Sequence, residues 1–467
     1  MFDRNGISRW ARVAAALVLA ATAAPALAAQ TGSPSTQPTA TAGQPRTITF
    51  SDAVRIALQQ NGTLRQAVNA AALDTVAVRQ QRMQFLPDVR FSTTTSGSYD
   101  RAPGTSTGAG SALSRTSTAL NAGVSSSYTL YNGGANSANL RAARLQQQAG
   151  ASDVERTRQS VVFTVVSNYL SLIEGQEQLR VRNETLASAQ AQLAQIRAFV
   201  DAGRRPIADL YTQQATVAAA QLAVVQARNA VELAKVDLIQ TLQLDPRGEY
   251  AFQSPPAAAG TSAVAPLDTL LDQAFARRVD LAARQTELSA TEQGVRAAKA
   301  GRLPTISVSA GYNTSVNSQN DLGVFDQLNQ RQGGSVSVGV SLPIFDRGNT
   351  AAEVQRAQIL QDNARIALEN QRQQVGLEVR RAYLDWQAAQ QQLAAAEAQL
   401  TAAQQSLNAT DQRYRAGVGT LVELAQARSV LAQAQSQMVS ARYNLVFQRT
   451  LVDYYIGELN PDAVGIG

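Results

Sequence analysis

The 467-residue chain contains no cysteine and no histidine. Without thiols there are no disulfides and no cysteine nucleophile. Without imidazole there is no ready general base near neutral pH, and most zinc and haem sites lose their ligands. The lack of cysteine also excludes a lipid-carrying cysteine at a processed N-terminus. Catalysis would rest on carboxylates alone, and no carboxylate pair in the sequence calls for it, so the chain reads as a non-enzyme with no cofactor and no metal. Lysine is scarce as well, occurring only at Lys235 and Lys299, and the net charge of +6 comes from arginines interspersed with acids. A nucleic-acid binder concentrates its basic residues in a run or stripe, and none is present.

Long apolar runs are missing beyond residue 28. The best stretch, 160–172, is interrupted by Ser167-Asn168 and falls short of the ~20 residues a spanning helix requires. A membrane-inserted form of this chain would therefore be a β-barrel, the other structure that satisfies backbone polar groups in lipid. The N-terminus reads as a secretory signal over 1–28. Arg4, Arg9 and Arg12 precede a short apolar core, and Ala26-Leu27-Ala28 supplies the small-x-small cleavage pattern.

What the chain does have is itself, twice. Tyr131, Tyr169, Gly203 and Leu210 recur as Phe345, Tyr383, Gly417 and Leu424 at a constant offset of 214 residues. Upstream, Leu64, Val78 and Leu86-Pro87 recur as Leu281, Val295 and Leu303-Pro304 at an offset of 217. A repeat this long is a duplicated subdomain, not a solenoid unit. The chain then divides into the signal, a Thr/Ser/Pro-rich leader 29–46, repeat 47–245, a Pro/Ala/Gly-rich connector 246–266, repeat 267–457 and a tail 458–467.

Within each repeat the hydrophobic period changes in the same order. A helix capped by Ser51-Asp52 is predicted to run to Leu86, where Pro87 stops it. Alternation of period two follows: Val89, Phe91, Thr93, Thr95 and Tyr99, then Leu120, Ala122, Val124, Tyr128 and Leu130. The second repeat shows it in Ile306, Val308, Ala310 and Tyr312, then in Val336, Val338, Val340, Leu342 and Ile344. These predict strands at about 88–99, 120–131, 305–316 and 335–345, with Ser, Thr, Asn and Gly on the other face. That length and alternation suit a tilted membrane strand facing a watery lumen, and suit equally a soluble sheet with one wet face. Next, 135–201 and 349–415 are proline-free and rich in Ala, Gln, Leu, Glu and Arg, which predicts very long helices. Each ends at Gly203 or Gly417 and restarts toward Leu242 or Ile456. Val161, Val165, Leu172, Leu179, Leu186 and Leu193 mark a coiled-coil-like seam.

Helix, strand pair, long helix, tight turn and return helix, twice over, resembles the TolC family of outer-membrane efflux and secretion channels. Phe85-Leu86-Pro87 and Arg302-Leu303-Pro304 resemble its helix-to-barrel junctions. Leu130-Tyr131-Asn132-Gly133-Gly134 and Leu342-Pro343-Ile344-Phe345-Asp346-Arg347-Gly348 resemble its return junctions. Ala202-Gly203 and Ala416-Gly417 resemble its hairpin tips. The resemblance covers about 47–457 and implies an α+β membrane channel. Three chains would give four strands each to one twelve-stranded transmembrane barrel in outer-membrane lipid, with an α-helical barrel in the periplasm. It implies a passive exit duct for a tripartite efflux pump or a type I secretion system. The partners would be a periplasmic adaptor (membrane fusion) protein at the tips and an inner-membrane transporter.

It further implies a periplasmic gate at Asp209, Tyr414 and Glu423. Gly419 stands where the family pattern has an arginine, and Arg204 or Arg205 is a candidate replacement. As first-turn acids, Asp209 and Glu423 are equally explained by the helix dipole, and Gly203 and Gly417 by helix termination. A trimeric adhesin also combines coiled coil and barrel, but would gather its strands at one end of the chain. A carboxylate hydrolase would need a compact domain, for which the layout leaves no room.

Overall fold

The computed structural model describes residues 46–102, 113–253, 264–318 and 322–459. The signal, nearly all of the leader, the middle of the connector, most of the tail and the loops joining each strand pair lie wholly or partly outside these.

Repeat one begins with β1 (Arg46–Ile48), α1 (Phe50–Gln60) and α2 (Gly62–Met83). The single helix predicted to Leu86 is thus two. Thr49, not Ser51, is the N-cap, accepting from the Asp52 amide. The break falls at Asn61, whose Oδ1 accepts from the amides of Thr63 and Leu64 while its Nδ2 donates to the Thr241 carbonyl. Strands β2 (Asp88–Ala102) and β3 (Leu113–Asn132) follow, then α3 (Ala135–Asp201) and α4 (Ile207–Leu242). After β4 (Tyr250–Phe252), which pairs in parallel with β1, the order repeats. It gives α5 (Leu267–Arg277), α6 (Val279–Lys299), β5 (Thr305–Asn317), a short α7 (Val324–Gln330), β6 (Gln332–Ser341), α8 (Asn349–Arg415) and α9 (Leu421–Tyr455). The long helices α3 and α8 have the predicted bounds, 67 residues each, or about 100 Å at 1.5 Å per residue. Strand β6 stops at Ser341, short of the predicted 345, because Pro343 has no N–H to donate to the ladder.

The four long strands form one antiparallel sheet in the order β2-β3-β5-β6. Its register puts most of the predicted apolar residues on one face: Phe91 opposite Val124, Val124 opposite Tyr312, Val308 opposite Val338, Ile306 opposite Val340; Leu130 falls in a bulge, where Tyr131 takes its place opposite Ile306, and Leu342 and Ile344 lie past the end of β6. That face is bare, with Val336, Val338 and Val340 each at least 66% exposed. The opposite face is hydroxyl-rich, aligning Ser127, Ser309 and Ser337 across three strands. Strands β2 and β6 are edges, and among the described residues neither has an outer partner.

The helical hairpins bury heptad seams. Val217, Val224, Val231 and Leu238 recur every seven residues on α4. Val375, Ala382, Ala389, Ala396 and Ala403 do so on α8, the repeat expected of knobs-into-holes packing. On α3 the predicted seam holds from Val161 to Leu172. Farther along it moves to Val181, Ala189, Gln192 and Ile196, leaving Leu186 and Leu193 half-buried. The main core gathers Ile48, Phe50, Val165, Tyr169, Leu238 and Phe252, with the Tyr169 hydroxyl donating to the Gln253 carbonyl. Helix α6 packs between α3 and α8. Its repeat-one counterpart α2 packs on α3 and exposes Val68, Leu73 and Val76. Among the described residues no helix is long and apolar enough to cross a membrane.

Candidate functional site: junctions and hairpin tips

Apart from the reversal between its antiparallel strands, each repeat has three places where the chain changes direction, and each is fixed by a local rule. Pro87 and Pro304 end the inbound helices, which close in a turn at Leu86 and in a 3-10 turn at Ala300–Arg302. At the return junctions the paired residues adopt paired conformations. Gly134 and Gly348 have φ of 85° and 82°, while Gly133 and Arg347 have 68° and 56°. Asn132 and Asp346 then cap the long helices, accepting from the amides of Asn136 at 3.2 Å and Thr350 at 2.7 Å.

The two copies differ in how tightly they are packed. A Cβ on Gly133 would stand 2.5 Å from the Ala300 carbonyl oxygen and 2.9 Å from Leu303, whereas one on Gly348 would meet nothing within 4 Å. Gly133→Ala is therefore expected to cost about 1–3 kcal/mol through overpacking in addition to left-handed backbone strain. Gly348→Ala should cost the strain alone, about 1 kcal/mol. Denaturant midpoints of the two variants check this, and equal shifts would contradict it.

Both tips end in a Schellman turn. Gly203 N–H donates to Val200 and Arg204 N–H to Phe199; Gly417 N–H donates to Tyr414 and Val418 N–H to Arg413. Gly203 and Gly417 have φ of 71° and 79°, the left-handed conformation glycine adopts most cheaply. Ala202 and Ala416 are the C-caps.

The predicted gate residues divide. Asp209 and Tyr414 come together through Arg205, which pairs with Asp209 at 3.5 Å and lies over the Tyr414 ring at 4.7 Å. Of the two adjacent arginines, it is Arg205 that stands between these residues. Position 419 is tightly packed: a Cβ there would lie 3.0 Å from the Tyr414 amide nitrogen, so a side chain would require its neighbours to give by a few tenths of an ångström. Tyr414 is buried with Ile196, Leu421 and Leu424, and among the described residues its hydroxyl has no hydrogen-bond partner. Glu423 stands apart. It completes a capping box with Thr420, and Arg413 approaches it at 3.9 Å.

Sequence reasoning did not mark Arg428 or Gln192. Arg428 reaches Asp411 at 4.0 Å, and burial holds its pKa below the ordinary arginine value despite that carboxylate. Gln192 is a polar residue on a buried seam, a break in the heptad pattern that could have flagged it.

Comparison with known proteins places this architecture. The model of the family described as "Outer membrane efflux protein" matches residues 53–242 and 270–457, one match per repeat. Protein CyaE of Bordetella pertussis is 33% identical over 65% of this chain and 63% of its own length. The match therefore spans less than two thirds of that relative. Outer membrane protein TolC of Escherichia coli is 24% identical over 68% of this chain and 66% of its own. Among solved structures, the outer-membrane channel OprN superposes with a TM-score of 0.75 at 20% identity, covering 88% of this chain and 90% of that one. The CmeC outer membrane channel of Campylobacter jejuni gives 0.74 at 19% identity, over 88% and 85%. With both repeats matched and the strand-and-hairpin fold shared, the chain belongs to the outer membrane efflux protein family, and its place is the outer membrane.

Proposed function

We propose that three copies of this chain form the outer-membrane exit duct of an export system. The observation that carries the reading is the sheet, which has one bare apolar face, one hydroxyl-rich face and two unpaired edges. Unpaired edges are not tolerated in lipid. Closing β6 of one chain on β2 of the next removes them and leaves the serine-rich face around a water-filled lumen. The same closure supplies a partner for α2. By the pseudo-symmetry of the repeats, its exposed Val68, Leu73 and Val76 meet the α8 face of the neighbouring chain, which leaves Ile359, Leu360 and Ile366 exposed.

The tips, Ala202-Gly203 and Ala416-Gly417, are the docking points for a periplasmic adaptor that connects an inner-membrane transporter. Conduction is passive, so Asp209 and Tyr414, clamped by Arg205, act as a latch. The Glu423 carboxylates, gathered by three-fold symmetry, favour cations at the entrance. The relatives' names point toward export: BepC of Brucella suis is an outer membrane efflux protein, and OpmQ of Pseudomonas putida a pyoverdine export outer membrane protein.

A deletion strain should show greater drug sensitivity or lose a secreted protein, and complementation should restore it. A strain unchanged in both would contradict the export reading. Arg205→Ala removes the link between Asp209 and Tyr414, and is expected to raise the conductance of the protein in planar bilayers several-fold. Unchanged conductance would remove Arg205 from the latch.

A further inference from the structure

Behind the tips, the two hairpins of one chain flank an open cavity of about 680 Å³. Arg182 and Gln192 line it from the first hairpin, and Arg428 and Ser436 from the second, beside an apolar floor that includes Leu424. Gln192 is only 4% exposed, and among the described residues its Nε2 has no hydrogen-bond partner; the Ser436 Oγ is likewise buried and unpartnered among them. A buried donor left unpaired carries a desolvation penalty, and two such groups line one cavity.

The charges left without a close opposite partner there are of one kind. Arg182 has no ion pair or hydrogen bond among the described residues. Among the described residues Arg428 has only the 4.0 Å approach to Asp411, a carboxylate that Arg415 already holds at 2.8 Å. Glu184, the one acid lining the cavity, is taken by Arg180 at 2.7 Å. The cavity thus offers donors and positive charge beside hydrocarbon, with no carboxylate left unpaired to answer them.

We propose that this inter-hairpin cavity binds a small amphipathic organic anion, a carboxylate met by donors from both hairpins with a short hydrocarbon body against Leu424. The bound anion bridges the hairpins. It stabilises the arrangement seen here and opposes any movement that draws them apart, by linkage to its own binding. The proposal rests on the cavity alone, so a binding assay tests it whatever the chain exports.

The test is isothermal titration of the full-length protein in detergent with hexanoate, hexanol and hexylammonium. Hexanoate should bind saturably at one site per chain, hexanol roughly tenfold more weakly, and hexylammonium not at all. Gln192→Leu and Arg428→Gln should each weaken hexanoate roughly tenfold with unchanged helical circular dichroism and oligomeric size. Ser436→Ala, which disturbs the packing least, should weaken it several-fold and serves if the other variants misfold. Non-saturable uptake of hexanoate, equal binding of hexanol, or hexanoate binding indifferent to Ser436→Ala would each overturn the proposal and leave the donors to water.

Discussion

Replacing Arg278 with leucine is expected to destabilise the folded chain by about 3–5 kcal/mol, the cost of breaking a buried ion pair from one side. Arg278 sits at the α5–α6 break with its side chain 2% exposed, paired with Asp280 and with Glu378 on α8. Gln371 donates to Asp280 at 3.0 Å, and Arg156 of repeat one stands 3.9 Å from it while lying over the Tyr454 ring at 4.2 Å. The network thus ties α3, α6, α8 and α9 at one level. Removing the guanidinium strands two half-buried carboxylates, so Arg278→Leu combined with Asp280→Asn and Glu378→Gln should recover much of the loss.

The pH dependence has a definite sign. Burial raises the Asp280 pKa, but the hydrogen bonds and charge of Arg278, helped by Arg156, outweigh it and hold the carboxyl below 3.8. A depressed pKa contributes stability that is present above the unfolded value and is lost as pH falls through the folded value. The native protein should therefore lose stability on acidification below about pH 4, and Arg278→Leu should lose less of it. Denaturant midpoints followed by helical circular dichroism measure both effects. A cost under about 1 kcal/mol, the range of an exposed pair, would contradict the buried network.

A charge on the apolar sheet face should be nearly as damaging. Val338, 66% exposed, lies among Val336, Val340 and Val308. Val338→Arg is expected to cost up to about 2–4 kcal/mol, the penalty for arginine facing hydrocarbon near the bilayer midplane, and a trimer bears it in every chain. The adjacent Ser337 points to the other face, where its hydroxyl meets Ser309 at 2.8 Å. Ser337→Arg should therefore assemble normally and shift the ion selectivity of the pore toward anions. Yields of heat-resistant trimer from membranes distinguish the two. Equal yields would mean that the valine face does not meet lipid.

Much of this was legible in the sequence because it is written in periods. Heptads over 135–201 and 349–415 and alternation in the strands are repeated signals, and the duplication supplied each one twice. Single-residue events were less legible. The helix break at Asn61-Gly62 has a turn-forming pair, yet its counterpart at Arg278 has no breaker, since a buried ion network replaces the cap. The shortening of β6 follows from Pro343 alone. Arg205 could be named only as one of two adjacent arginines, because its contact is with a tyrosine 209 residues away in sequence. Gln192 and Ser436 carry no local signal of being unpartnered, which depends on how two hairpins meet.

The central claim is that the sheet of one chain is a third of a barrel. It is tested most directly by reconstituting the purified protein in planar bilayers alongside a mass measurement in detergent. A species of three chains that inserts with large, discrete and uniform conductance steps is the result expected of a closed twelve-stranded duct. A stable monomer, or a trimer that never conducts even with Arg205→Ala at the tips, would contradict it.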